Sequence, residues 1–207
     1  MKSGKFLSFV VVFFLFESLT FATDFFDIQQ SKDTLSLVEG SENSLRYKEY
    51  DKNMRIIKET VWKNDFSAIE KIIIWSYSEN SPYPEKITTT YLEDGHTEET
   101  EYLYDKNNKQ KSKTVTIKQK DFVVVTKEDY LYHIEKNKKG ESVEMIDTTT
   151  YIDGILSQKI RWLTTTKKEV TKFFTDGITV WTLYENGVKK SERFTQNGIQ
   201  IRDFVWD

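Results

Sequence analysis

Three features of the sequence predict an all-β fold, an antiparallel meander of about 10–13 strands joined by Asx-Gly hairpins. Five of the eight glycines sit in Asp94-Gly95, Asp153-Gly154, Asp176-Gly177, Asn186-Gly187 and Asn197-Gly198. Such pairs tolerate positive φ at both central residues of a type I′ corner, whose twist matches the strands it joins. Between the corners stand β-branched and aromatic residues, as in KTVTIK at 113–118 and GITVWTLY at 177–184, which suit a pleat better than a helix. Corners recur every 10–17 residues or so, leaving room for one strand of ordinary length between them.

The chain opens on MKSGKFLSFVVVFFLFESLTFA, in which Lys2 and Lys5 precede an apolar run from Phe6 to Phe16 and a polar stretch ending at Ala22. This is the three-part pattern of a secretory signal, with small side chains before a cut after Ala22. As a helix the run would reach about 17 Å, short of the roughly 30 Å of a bilayer core. Residues 1–22 are therefore expected to form a cleaved signal helix, residues 23–45 an N-terminal extension, and residues 46–207 a domain of β-hairpins. No later apolar run is long enough to span a membrane as a helix, so the mature chain is expected to be extracytoplasmic, periplasmic or secreted.

Weaker corners follow at 51–53, 64–65, 80–82, 105–108, 120–121, 137–140 and 164–168, where Asp, Asn, Ser, Pro, Gly, Thr and Lys cluster. Ser67 to Ser76 reads as a strand because Ile72, Ile73, Ile74 and Trp75 are consecutive. The threonine triplets at 88–90, 148–150 and 164–166 favour strands for the same reason. Three stretches, Ile72 to Tyr77, Phe122 to Val125 and Ile178 to Tyr184, are apolar on both alternating faces. A strand of that kind calls for cover on both sides, so a curled or two-layered sheet is expected. Charged strands such as Val188 to Arg193 cannot form a lipid-facing band, which argues against a transmembrane barrel.

The composition narrows the chemistry. A content of 38% hydrophobic and 14% aromatic residues is too high for a disordered chain. The absence of cysteine rules out disulfides, thiol nucleophiles and cysteine-based metal centres. Lysine and glutamate are interspersed at a formal net charge of −3, so no basic stripe favours a nucleic acid. Motifs for a serine nucleophile, a phosphate loop or a dinucleotide fold do not occur. Of the two histidines, His96 stands beside Glu98 and Glu99, which alternate faces in a strand, and His133 lies in a His-x-Glu with no cysteine pair to complete a zinc centre. Acids such as Glu98, Glu99 and Glu101 read as solvated strand residues facing lysines. Asp51-x-Asn53 and Asp105-x-Asn107 begin like calcium loops but reach Trp62 and Thr116 at the twelfth position, where a carboxylate is required. No catalytic, cofactor or metal residue is assigned. Of the five tryptophans, Trp62 and Trp162 sit among charged neighbours and are the candidates for an exposed binding surface.

The chain also repeats itself. Residues 50–61, YDKNMRIIKETV, align without a gap with 104–115, YDKNNKQKSKTV, and TTTYLEDG at 88–95 matches TTTYIDG at 148–154 with one residue deleted. The unit is an aromatic strand end, an Asx-centred corner and a strand of Lys, Glu and Thr. Over residues 47–200 the pattern resembles bacterial MORN-variant repeats, some of which are linked to toxin–antitoxin modules, and the tyrosine–aspartate repeats of secreted Rhs-type proteins. The glycine-rich strand that follows each MORN-like turn is lacking here. The resemblance implies stacked hairpins without catalytic residues of their own. The expected function is an exported, non-enzymatic β-repeat protein that offers a binding or structural surface to another protein or a cell-envelope polymer, without a cofactor. The alternatives are an antitoxin or immunity-type inhibitor, which the resemblance implies, and a hydrolase of an extracellular polymer.

Overall fold

A computed structural model describes residues 25–30, 34–41, 44–63, 65 and 67–206. The expected signal segment and its cut after Ala22 lie outside the described residues. Every regular element among the described residues is a β-strand, and strand order in the sheet follows chain order without a crossover. The all-β antiparallel meander is therefore what the chain forms. Fifteen strands are described, more than the 10–13 expected, because strands begin at Phe25, in a stretch with no Asx-Gly corner to announce them.

The chain divides into two compact units, one reaching to Trp75 and including Thr90–Glu93, the other comprising Ser76–Thr89 and Asp94–Asp207. In the first, β1 (Phe25–Gln30), β2 (Leu35–Ser41), β3 (Ser44–Tyr50), β4 (Ile56–Trp62) and the greater part of β5 (Ile69–Tyr77) pair in succession. The isoleucine run lies in β5, as its β-branched residues require. Burial concentrates on β4, where Glu59, Thr60 and Val61 are each 6% exposed. Cross-strand pairs fasten this unit: Lys48 to Glu39 at 2.6 Å, Lys58 to Glu49 at 2.9 Å and Arg46 to Glu59 at 3.3 Å.

The second unit holds most of β6 (Pro84–Tyr91), then β7 (Thr97–Tyr104), β8 (Gln110–Gln119), β9 (Phe122–Lys136), β10 (Ser142–Ile152), β11 (Ile155–Thr164), β12 (Lys167–Phe173), β13 (Ile178–Glu185), β14 (Val188–Gln196) and β15 (Ile199–Val205). From β7 to β15 each strand is antiparallel to the next, and extensive contacts join only sequence neighbours. This corrects the expectation of two packed layers: the unit is one layer. Among the described residues no side chain is fully buried, and Met145, at 8% exposure, is the only buried apolar one in this unit. What covers the sheet is its own long side chains. Lysine and arginine side chains reach over neighbouring rings, as the Arg193 guanidinium does over Trp181 at 5.7 Å.

The Asx-Gly corners are of two kinds, where the sequence suggests one. At Asp153-Gly154, Asn186-Gly187 and Asn197-Gly198 both residues have positive φ, between 49° and 82°, the type I′ corner. At Asp94-Gly95 and Asp176-Gly177 only the glycine does, which corrects the type I′ reading there. In the second case Phe174 N–H bonds to Ile178 O across a three-residue loop, and such a loop takes a type I turn followed by one left-handed residue. A further kind of regularity links the repeated segments. Asp51 Oδ1 accepts the N–H groups of Asn53 and Arg55 at 2.8 and 2.9 Å, and Asp105 Oδ1 accepts those of Asn107 and Lys109 at 2.7 and 2.9 Å. Asn137 Oδ1 does the same for Lys139 and Glu141, a third copy hidden in the sequence by the change from Asp to Asn. The three loops have left-handed residues at Met54, Asn108 and Gly140 respectively.

Candidate functional site

Successive side chains of a strand alternate between faces, and residues opposite one another across a ladder share a face. On the second unit this rule collects one row. Tyr132 of β9, Trp162 of β11, Lys168 of β12, Tyr184 of β13 and Lys189 of β14 stand on the same face, with Trp162 opposite Lys168, Lys168 opposite Tyr184, and Tyr184 opposite Lys189. The row runs across the strands. Lys109 Nζ lies 5.1 Å from the Tyr132 ring centre, and Lys168 Nζ lies 5.0 Å from that of Trp162 and 5.8 Å from that of Tyr184. Lys189 Nζ is 5.2 Å from the ring of Trp206, just past β15. Each is within reach of a cation–π attraction.

Local sequence places these residues. Tyr184 and Lys189 flank the Asn186-Gly187 corner, and Trp162 and Lys168 flank the corner at 165–166. The two-residue corner sets Tyr184 opposite Lys189, and a register shift between Trp162 and Thr164 sets Trp162 opposite Lys168. Hydroxyl groups are tied down: Tyr132 donates to Gln110 O at 2.9 Å and Tyr104 to Pro84 O at 3.1 Å. Tyr83 and Tyr104 stack at 5.5 Å, and Tyr104 and Tyr102 at 6.2 Å. Burial pushes the Tyr102 and Tyr104 phenols up, and burial together with donation to Glu128 raises that of Tyr130 well above the usual range. Tyr104 and Tyr130 therefore stay protonated and donating, to Pro84 O and Glu128, across the physiological range.

Two of the row's lysines have carboxylate partners, Lys109 with Glu144 and Lys189 with Glu192. Lys168 has none among the described residues. Of the tryptophans singled out in the sequence, Trp162 lies in this row, half-buried under Lys168. Trp62 ends β4 in the first unit, also half-buried, and is not part of the row. Trp206, one of three tryptophans not singled out from the sequence, is 40% exposed. Tyr184 and Lys189, set symmetrically about the Asn186-Gly187 corner, are a local sequence signal for that pair alone; Trp162 and Lys168 are offset by one residue about theirs and give none.

The histidines lie elsewhere. His96 Nδ1 is 2.6 Å from Asp94 Oδ1, while Glu99 turns to Lys86 and Lys118 at 3.2 and 3.4 Å. On the reverse face of the second unit His133 stands 3.9 Å from Glu135 and 3.8 Å from Asp147, beside a shallow depression of about 310 Å³. Asp147 is engaged there with the N–H of Trp162 at 2.8 Å. Among the described residues no group of three such side chains is arranged to hold a metal ion.

The shifted carboxylates are all lowered. The N–H of Lys109 holds Asp105 down, that of His96 holds Asp94 down, and the Lys86 ammonium holds Glu99 down. A general acid at neutral pH needs the opposite shift. A folded pKa below the unfolded one means that the unfolded chain binds more protons, so the stability these groups add is present above the unfolded carboxylate range, near pH 4, and is lost as pH falls through the folded values. Thermal melts are expected to be flat from pH 7 to about 5.5 and to fall below that. Because Asn137 performs the same turn chemistry with an amide oxygen, Asp105→Asn is expected to keep its neutral melting temperature and to show a flatter fall in acid.

No protein-family model and no curated protein matches this chain.

Proposed function

We propose that this chain is an exported, non-enzymatic binding protein, and that one broad face of its second unit is the recognition surface. The observation that carries this reading is the row of aromatic rings and lysines running from β9 to β14 and their flanks on that face. A meander of stacked hairpins adds area with each repeat rather than deepening a pocket, and a contiguous apolar patch on a soluble chain marks an interaction site. Ile134, Ile146 and Ile155 on the same face are 69%, 40% and 62% exposed and widen the patch. The shifted carboxylates support turns and strand pairs, which favours binding over hydrolysis. The N-terminal signal pattern supports export, with the mature chain beginning at Thr23. Among the described residues no helix is long and apolar enough to cross a membrane.

The test is expression of the full-length chain in a bacterial host, followed by fractionation and sedimentation with purified cell-envelope polymer. The expected result is an extracytoplasmic protein whose first residue is Thr23 and which pellets with the polymer while leaving its length unchanged. Retention in the cytoplasm, failure to pellet, or shortening of the polymer would each contradict the proposal.

A further inference from the structure

The period of the row carries a more specific conclusion, one that rests on the binding-face reading above. Adjacent strands lie about 4.8 Å apart, so residues on alternate strands are separated by roughly 10 Å. Tyr132, Trp162 and Tyr184 occupy β9, β11 and β13, and Trp206 follows β15. The rings therefore recur on every second strand, and Lys168 and Lys189 stand on the strands between them. We infer that this row binds a linear acidic polysaccharide laid across the strands, its carboxylates drawing the lysine heads off the rings and its sugar rings taking their place on the aromatics.

Three observations select this occupant. A straight row of rings matches an extended polymer and not a compact molecule, which would need a concave pocket around it. The two-strand repeat is close to that of a disaccharide in an extended β-linked glycan, so a chain with one carboxylate on alternate sugars stays in step with rings and cations alike. The charge complement is also in place: Lys168, at the middle of the row with a ring on either side, has no carboxylate partner among the described residues, so its ammonium is available to an acid group of the ligand. Lys189 shares its charge with Glu192 at 2.7 Å and contributes less.

The experiment is a calorimetric titration of the full chain with hyaluronate octasaccharide, with neutral cellohexaose and phosphatidylglycerol vesicles as the other arms. Binding of hyaluronate that weakens with salt and exceeds binding of cellohexaose is expected. Trp162→Ala is expected to lower that affinity by about tenfold or more, and Lys168→Gln to remove most of the preference for the acidic glycan. Trp181→Ala, on the reverse face, is expected to leave it unchanged. Should Trp162→Ala not fold, Lys168→Gln and the change in tryptophan fluorescence of the unaltered chain decide the matter. Equal binding of both glycans, no glycan binding, or insensitivity to both row variants would overturn the inference. Vesicle binding or self-association through the row, without glycan binding, would overturn it and leave the binding-face reading intact. Loss of envelope binding in the sedimentation experiment would remove that reading itself.

Discussion

Gly177→Ala is expected to destabilise the protein by about 2 kcal/mol, against about 1 kcal/mol for Gly140→Ala, when the two are compared by urea unfolding. Both glycines are left-handed, with φ of +79°, and both substitutions carry the cost of a Cβ in that region. They differ in surroundings. A Cβ at Gly140 meets nothing within 4 Å, whereas at Gly177 it would stand 2.3 Å from Asn197 Oδ1. The backbone of Asn197 is held by its N–H bond to Gly177 O at 3.1 Å and by its φ of +50°, so Oδ1 makes room by turning the side chain, at a cost of about 1 kcal/mol. Asn197→Gly keeps that corner and removes the obstructing side chain. In the Asn197→Gly background, Gly177→Ala is accordingly expected to cost no more than Gly140→Ala. Equal effects of the two alanines in the unaltered chain would show that adjacent corners do not support one another.

Met145→Ala is expected to cost about 2–3 kcal/mol, while Ile146→Ala, the next residue, is expected to cost about 1 kcal/mol or less. The two point to opposite faces of β10, Met145 opposite His133 and Ile146 opposite Tyr132. Their exposures, 8% and 40%, run against their order in hydrophobicity. In a two-layered sheet the isoleucine would be the core residue of a covered face. In one layer the face bearing the aromatic row stays open, and Ile146 has little buried surface to lose. Chemical denaturation of the two variants measures the difference, and a larger loss for Ile146→Ala would mean that the open face is covered.

The corners were the most legible part of the fold. Asx-Gly pairs and β-branched runs are local signals, and they marked the hairpins of the second unit where they occur. The type of each corner was less legible, because it depends on how many residues lie between the closing pair. Phe174 and Ile178 close a longer loop around Asp176-Gly177 than a two-residue corner spans. The strands at 25–41 carry no such pairs and went unannounced. The expectation of a curled or two-layered sheet rests on strands apolar on both faces, such as Ile178 to Tyr184, which call for cover on both sides. Lys168 over Trp162 and Tyr184, and Arg193 over Trp181, show how a single layer covers itself. Trp162 was found as a candidate from its charged neighbours. The row it belongs to was not, because which residues meet between β9 and β14 depends on register shifts that no local pattern announces.

Thiol labelling measures the single layer most directly, since the chain has no cysteine of its own. Val170 and Thr171 of β12, and Val124 and Val125 of β9, are neighbours on opposite faces, all half-buried. Cysteines placed one at a time at these four positions are expected to react under native conditions at similar rates within each pair, because both faces meet solvent. If one member of each pair reacted only as fast as the protein unfolds, a second layer would cover that face and the one-layer account would be wrong.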